Sequence, residues 1–182
     1  MDEIMDRNRF DNFRLLRKRV NDYAFHVFDS FLSSEIVPAF ARRKLLRMMG
    51  ITLLQTSTVW AGCSFRSNKI SIGSNVFINV GFFFDGYFQC VIGDNVRIGQ
   101  FVRIITATHE IGPSSQRGQT EVVGAPVAIE DGCWIATGVV LLPGVTVARG
   151  CVIAANAMVA ESTSPNGLYA GTPARRIKEL SA

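Results

Sequence analysis

The chain has 182 residues, 48% of them hydrophobic, with 19 Lys and Arg against 15 Asp and Glu. That length and apolar content suit one modest domain with its own core, and so mild a charge excess implies no nucleic-acid partner. The opening MDEIMDRNRF has neither an apolar core nor a cleavage pattern, so no secretory signal is expected. No apolar run approaches the roughly eighteen residues of a membrane span. Cys63, Cys90, Cys133 and Cys151 lack paired metal spacing and read as reduced packing residues, which fits a cytoplasmic location.

Residues 8–50 read as helix. Phe13, Leu16, Val20, Ala24, Val27 and Phe31 recur at steps of three and four and make one apolar face. Ser33 or Ser34 interrupts it, Pro38 suits the first turn of a second helix, and Gly50 ends that helix. Ten of the 19 basic residues lie in the first fifty. Arg14, Arg17, Lys18 and Arg19 flank the first apolar face, and Arg42, Arg43, Lys44 and Arg47 crowd the second. Such an arm suits three roles: capping the end of the domain, packing on a neighbouring subunit, or lying peripherally on an anionic membrane surface at the inner membrane.

The centre of the chain repeats every six residues. Ile129, Ile135, Leu141, Val147, Ile153 and Val159 keep that spacing without a slip, as do Ile72, Ile78 and Phe84, and then Ile92, Ile98 and Ile104 after a two-residue insertion. Neither a helix (3.6) nor a flat strand (2) generates this period. A chain that turns a corner every six residues does, with each aliphatic lead pointing into a triangular coil of eighteen residues. The class is therefore all-β, a left-handed parallel β-helix, whose hand departs from the usual right-handed crossover. Corners fall at Gly73, Asn75, Gly81, Gly93, Asn95, Gly99, Gly132, Gly138, Gly144, Gly150 and Asn156, residue types that tolerate positive φ. Residues 1–50 are then an N-terminal helical arm, 51–171 the β-helix, and 172–182 a short helical tail.

The segment 110–128 breaks the register and reads as a loop leaving the coil, and loops of that length are usually functional. Immediately before it stands His109, one of two histidines; His26, beside the first apolar face, reads as structural. A histidine there suits general-base chemistry, with an ordinary pKa of roughly 6.5. A zinc site of the carbonic-anhydrase kind would want three histidine ligands and the chain has two histidines, so no metal is expected. No Ser or Cys has the context of an activated nucleophile.

IGDNVRIGQFVRIITATHEIG, then VAIEDGCWIATGVVLLPGVTV, then YAGTPARRIKEL resemble the hexapeptide-repeat acyltransferases, in particular the maltose and galactoside O-acetyltransferases and the O-acetyltransferases of polysaccharide assembly. The resemblance covers roughly residues 70–180 and implies an acetyl-coenzyme A dependent acyltransferase that works as a homotrimer on a sugar or glycan acceptor. It implies that His109 takes the proton of an acceptor hydroxyl, that Asn79 holds the acceptor, and that Trp134 lines the site across a subunit boundary. Thr137, Ala155 and Arg175 fall where relatives line the coenzyme groove, and Lys178 where its phosphates lie. Asp85 is read in two ways, as a group that orients the imidazole or binds a sugar hydroxyl, and as a corner residue before Gly86. Phe82, Phe83, Tyr87 and Phe88 exceed one inner column and are assigned to an interface or acceptor site. One departure concerns Ala160 and Glu161, which stand where relatives carry a Thr-Lys or similar pair; an acid is unfavourable beside an anionic coenzyme. Two other readings remain open at this point, N-acylation of an amino sugar by the same base, and a non-enzymatic scaffold.

Overall fold

A computed structural model describes residues 20, 23–54 and 56–182. The expected apolar and basic positions Phe13, Arg14, Leu16, Arg17, Lys18 and Arg19 lie outside the described residues. Helix α1 covers residues 23–33 and α2 runs Ala39–Met48. Pro38 is the N-cap of α2, with φ −68° and ψ 151°, one residue before the helical turn it was expected to open. At the other end Gly50 has φ 86°, which lets Gly50 N reach Arg47 O at 3.0 Å and Ile51 N reach Leu46 O at 3.2 Å, so the last carbonyls of α2 are satisfied.

From there the chain winds into stacked coils of three short strands. Coil one holds β1 (Thr52–Leu53), β2 (Thr58–Val59) and β3 (Ser64–Phe65); coil two holds β4 (Ile70–Ile72), β5 (Phe77–Ile78) and β6 (Phe83–Phe84). Coil three holds β7 (Cys90–Ile92), β8 (Arg97–Ile98) and β9 (Arg103–Ile104), and is followed by β10 (Ala107–Ile111) and β11 (Gly118–Gly124). Coil four holds β12 (Val127–Ile129), β13 (Trp134–Ile135) and β14 (Val140–Leu141), and coil five β15 (Thr146–Val147), β16 (Val152–Ile153) and β17 (Met158–Val159). β18 (Gly167–Ala170) starts a sixth coil, and β19 (Arg175–Glu179) closes the chain. Strands of equal rank pair in three sheets: face one is β1-β4-β7-β12-β15, face two β19-β18-β16-β13-β8-β5-β2, and face three β17-β14-β9-β6-β3. Every pairing between coils is parallel, for example Ile72 with Ile92, Ile78 with Ile98 and Phe84 with Ile104.

The expected leads all point inward: Ile135, Leu141, Val147 and Ile153 are 0% exposed, and Ile129 and Val159 1%. Each contributes roughly 1.5–3 kcal/mol by burial. The structure adds a second inward position two residues before each lead. On face three it is filled by Cys63, Phe82, Val102, Val139 and Ala157, and on face two by Val76, Val96, Cys133 and Cys151, all buried. Phe82 thus belongs to this second column and packs on Phe65, ring centroids 5.5 Å apart, and not to an interface. The four cysteines are buried and free. Burial pushes the Cys63 thiol up to about 12 and Cys133 up to about 11, so both pack as neutral thiols.

Corners divide by cause. Asn75, Asn95 and Asn156 take positive φ as expected. Gly93 and Gly99 do not; there a Cβ would collide with Asp131 Oδ1 and, at 2.7 Å, with Thr137 N of the next coil. Close stacking, not backbone sign, selects glycine at both.

Two expectations are corrected. The segment expected as an irregular loop at 110–128 forms an antiparallel hairpin, β10 with β11, that leaves after Thr106 and pairs Ala107 with Gly124 and His109 with Val122. The tail is strand, not helix: β19 runs antiparallel to β18, with Ala170 opposite Arg175 and Leu168 opposite Lys178. The open edge of β18 offers backbone partners that a free helix would leave unpaired, and pairing outweighs local propensity.

The helices cap the other end. Leu32, Val37 and Leu46 are buried over coil one. Arg42, 3% exposed, donates to Leu32 O at 2.7 Å, Ser34 O at 2.8 Å, Val37 O at 2.5 Å and Val59 O at 3.3 Å, gathering backbone carbonyls of the α1–α2 turn and β2 around one guanidinium. Asp29, 2% exposed, accepts Phe65 N at 3.0 Å and Ser64 Oγ at 2.8 Å, tying α1 to β3.

Burial raises the Asp29 carboxyl above the ordinary carboxylate range, against hydrogen bonds from Phe65 and Ser64 that lower it. The folded state therefore holds this proton more tightly than the unfolded chain, so Asp29's contribution is full in acid and is lost as pH rises through its folded pKa. Asp29→Asn keeps an oxygen for Phe65 N and carries no charge. In urea unfolding the variant is expected to equal or exceed the parent near about pH 7 and to gain less than the parent on acidification to about pH 5. A variant that gains as much as the parent over that interval would contradict the assignment.

Candidate active site

The corner between faces three and one carries the chain's extra residues, and Asp85 organises it. It follows β6, and its carboxylate accepts Thr106 N at 2.8 Å, Ala107 N at 3.0 Å and the Thr106 hydroxyl at 2.5 Å. Thr106 is fully buried, and its Oγ1 in turn accepts Phe88 N at 3.0 Å. The two-residue insertion after β6 and the root of the hairpin are thereby stapled together by charge-assisted hydrogen bonds. The returning strand closes on the same point, with Ala125 N on Thr106 O at 3.0 Å.

His109 is the third residue of β10, exposed, and so sits on the hairpin and not on the coil where it was expected. Its Nδ1 lies 3.1 Å from Glu121 O on β11. A carbonyl only accepts, so Nδ1 carries the hydrogen and Nε2 keeps its lone pair in the neutral ring. Glu121 O, a main-chain atom with no signature in the sequence, therefore performs the orienting role that Asp85 was a candidate for. Asp85 holds the strand two residues away. Its hydrogen-bond partners are Thr106, Ala107 and, at 3.4 Å, Tyr87 N.

The other candidates gather elsewhere. Asn79, Trp134 and Thr137 line one groove of about 290 Å³ on face two, together with Phe77, Arg97 and Gln100. Trp134 is 56% exposed. Asn79 Oδ1 accepts Val80 N at 2.8 Å, which leaves its amide nitrogen as a donor. Thr137 donates to Gln100 Oε1 at 2.6 Å. Gln100 occupies the corner position of Thr137 one coil earlier, a relation the hexad grid contains. Ala155 stands at the same corner one coil on, where Asn156 N meets Thr137 O at 2.8 Å. The column continues into the tail through Met158 N on Gly171 O at 3.0 Å and Ala174 N on Met158 O at 2.8 Å. This brings Arg175 to the end of the column, with Lys178 three residues along β19; both are exposed. Arg175 pairs with Glu161 at 3.3 Å, so the departing acid sits on the very cation expected to meet the coenzyme. In one copy of the chain the coenzyme and acceptor candidates share the corner between faces two and three, and His109 stands at the corner between three and one.

The family model for the bacterial transferase hexapeptide (six repeats) matches residues 126–161. A Schizosaccharomyces pombe protein named as an acetyltransferase is 37% identical over 62% of this chain and 54% of its own length. The galactoside O-acetyltransferase of Escherichia coli is 31% identical over 76% of this chain and 68% of its own length. The chain thus spans about half to two thirds of the length of such curated relatives. A crystal structure of a hexapeptide-repeat-containing acetyltransferase from Vibrio cholerae is similar with a TM-score of 0.76 at 33% identity, covering 88% of this chain and 93% of that one, and that protein has also been crystallised with acetyl coenzyme A. With the coils, the hairpin and the tail in place, these similarities define the class: the chain belongs to the hexapeptide-repeat acetyltransferases.

Asp85→Ala tests the staple. Hydrogen bonds to a charged acceptor are worth about 1.5–3 kcal/mol, so amide exchange at Thr106 and Ala107 should accelerate about tenfold or more. Exchange on β13 and β14 should stay unchanged. Unaltered protection at Thr106 and Ala107 would contradict the role.

Proposed function

We propose that this chain is an acetyl-coenzyme A dependent O-acetyltransferase that modifies a sugar hydroxyl of a cell-surface polysaccharide or its precursor. The observation that carries the reading is His109, whose Nδ1 is engaged by Glu121 O at 3.1 Å so that Nε2 is the free basic nitrogen of an exposed ring. Nε2 takes the proton of the acceptor hydroxyl as that oxygen forms a bond to the thioester carbon. The carbon–sulfur bond breaks, the imidazolium returns its proton to the departing thiolate, and no acyl-enzyme forms. Asn79 and Trp134 hold the acceptor. Thr137 and Ala155 line the coenzyme groove, with Arg175 and Lys178 toward its phosphates, and Glu161 weakens that end by competing for Arg175.

The separation of His109 from the groove supports a homotrimer in which the hairpin of one copy meets face two of the next, since closed cyclic symmetry repeats such a contact three times. Sugar specificity is supported by the galactoside O-acetyltransferase relative. The helices suit peripheral contact with an anionic inner membrane surface from the cytoplasm: Tyr23, Phe31 and Phe40 are 73%, 54% and 76% exposed, and Lys44 and Arg47 are exposed on α2.

His109→Ala is expected to lower turnover by roughly 10² to 10⁴ fold, read as thiol release from acetyl-coenzyme A over a panel of free, nucleotide-linked and lipid-linked sugars. The oligomeric state and coenzyme affinity should be unchanged. Turnover close to the parent's would contradict the mechanism.

A further inference from the structure

A second cavity, of about 530 Å³, adjoins the groove on face two, where the turn between α1 and α2 meets the first two coils. Glu35, Val37 and Pro38 of that turn line it together with Trp60 and Asn79 of the coils. Asn79 lines both cavities, so they make one trough running from Trp134 in coil four to Trp60 in coil one. Parallel strands stack at about 4.8 Å, so those three steps span roughly 14 Å, more than one sugar ring.

The lining repeats a chemical pattern along that length. Trp60 is 51% exposed and is fixed by an edge contact with Phe77, centroids 6.4 Å apart at 64°. Trp134 repeats the exposed indole three coils away. Between them lie the two side-chain amides, Asn79 with its oxygen taken by Val80 N and Gln100 with its oxygen taken by Thr137, so each has a nitrogen left to donate. Glu35 supplies carboxylate oxygens at the far end. Arg42 is spent on four backbone carbonyls and serves only as wall. Aromatic faces on either side of amide donors, with a carboxylate at one end, match a pyranose chain, whose rings present C–H faces for stacking and rims of hydroxyls for hydrogen bonds. A second copy of the chain that reached past the groove to the coil-one end would bury the Glu35 carboxylate, which is costly without a partner for it.

We infer that this trough is an extended acceptor subsite for a glycan chain, in which Trp60 stacks a sugar ring beyond the one that is acetylated. The inference rests on the reading of the chain as a sugar O-acetyltransferase and adds that its acceptor has several rings.

The test uses the full chain, acetyl-coenzyme A, and β-linked galactosides and glucosides of one, two and four rings. For the parent, kcat/KM should rise about tenfold from one ring to four, the value of one aromatic stacking contact. In Trp60→Ala that rise should vanish through KM, with kcat and the one-ring kcat/KM within about twofold of the parent and the same sedimentation behaviour. Equal kcat/KM for all lengths in the parent would overturn the inference while leaving sugar transfer standing, as would a Trp60→Ala variant that loses one-ring and four-ring activity alike. Dissociation of the Trp60→Ala oligomer would assign the trough to a contact between copies. Transfer to none of these sugars by the parent would remove both the inference and the sugar reading beneath it.

Discussion

Each coil has to place side chains, nearly all apolar, inward twice on every face while its backbone amides meet those of the coils above and below. Those two demands leave no room for an additional residue within a face, because one extra residue reverses every side chain after it. Insertions are therefore expelled at corners, and here they leave at one corner. Thr52 pairs with Ser71, Ser71 with Val91, Val91 with Ala128, and Ala128 with Thr146, so successive coils advance by 19, 20, 37 and 18 residues. The excess over eighteen lies each time between faces three and one, where Asp85, the Tyr87–Phe88 bend and the hairpin bearing His109 are found. The rigid column thus supplies a fixed support, and the proposed general base is carried on what the column rejects.

The same demand explains the ends. A stack of coils finishes in an open edge and an exposed aliphatic column, and each end is closed differently. At the start, Leu32, Val37 and Leu46 cover the column, while Arg42 and Asp29 hydrogen-bond backbone groups of the helices and the first coil. At the finish, β19 pairs the edge of β18 and Tyr169 fills the column, its hydroxyl accepting Ser164 N at 2.8 Å. The closing strand also delivers Arg175 and Lys178, so a structural need and a proposed binding role share one segment.

Much of this was legible because a six-residue period has few explanations. Ile129 through Val159 announced the coils, and 19 extra residues before Ile129 announced an excursion. The second inward column was hidden because its members range from Ala157 to Phe82, large and small residues compensating between coils with no shared chemistry. The hairpin was hidden because both its strands are solvated, so neither shows the alternation of a half-buried strand; its exit at Thr106 depends on a buried bond to Asp85 that no spacing records. Glu121's part in the site is played by a carbonyl, which every residue has. The tail read as helix because its partner edge exists only once six coils are wound. Asn79, Trp134 and Thr137, named through the family resemblance, line one groove, while His109 did not join them within a single copy.

That last separation is the centre of the functional account, which requires the base of one copy to serve the groove of another. It is tested most directly by mixing two inactive variants. His109→Ala lacks the base and Asn79→Ala lacks the acceptor amide, and the two are unfolded together at equal amounts, refolded into mixed oligomers, and assayed for thiol release. If the site is shared between copies of a cyclic trimer, random assembly leaves about a quarter of the interfaces with both residues intact, and activity should return to about that fraction of the parent's. Mixed oligomers no more active than the two variants alone would show that each copy works with its own His109 and Asn79, contrary to the account.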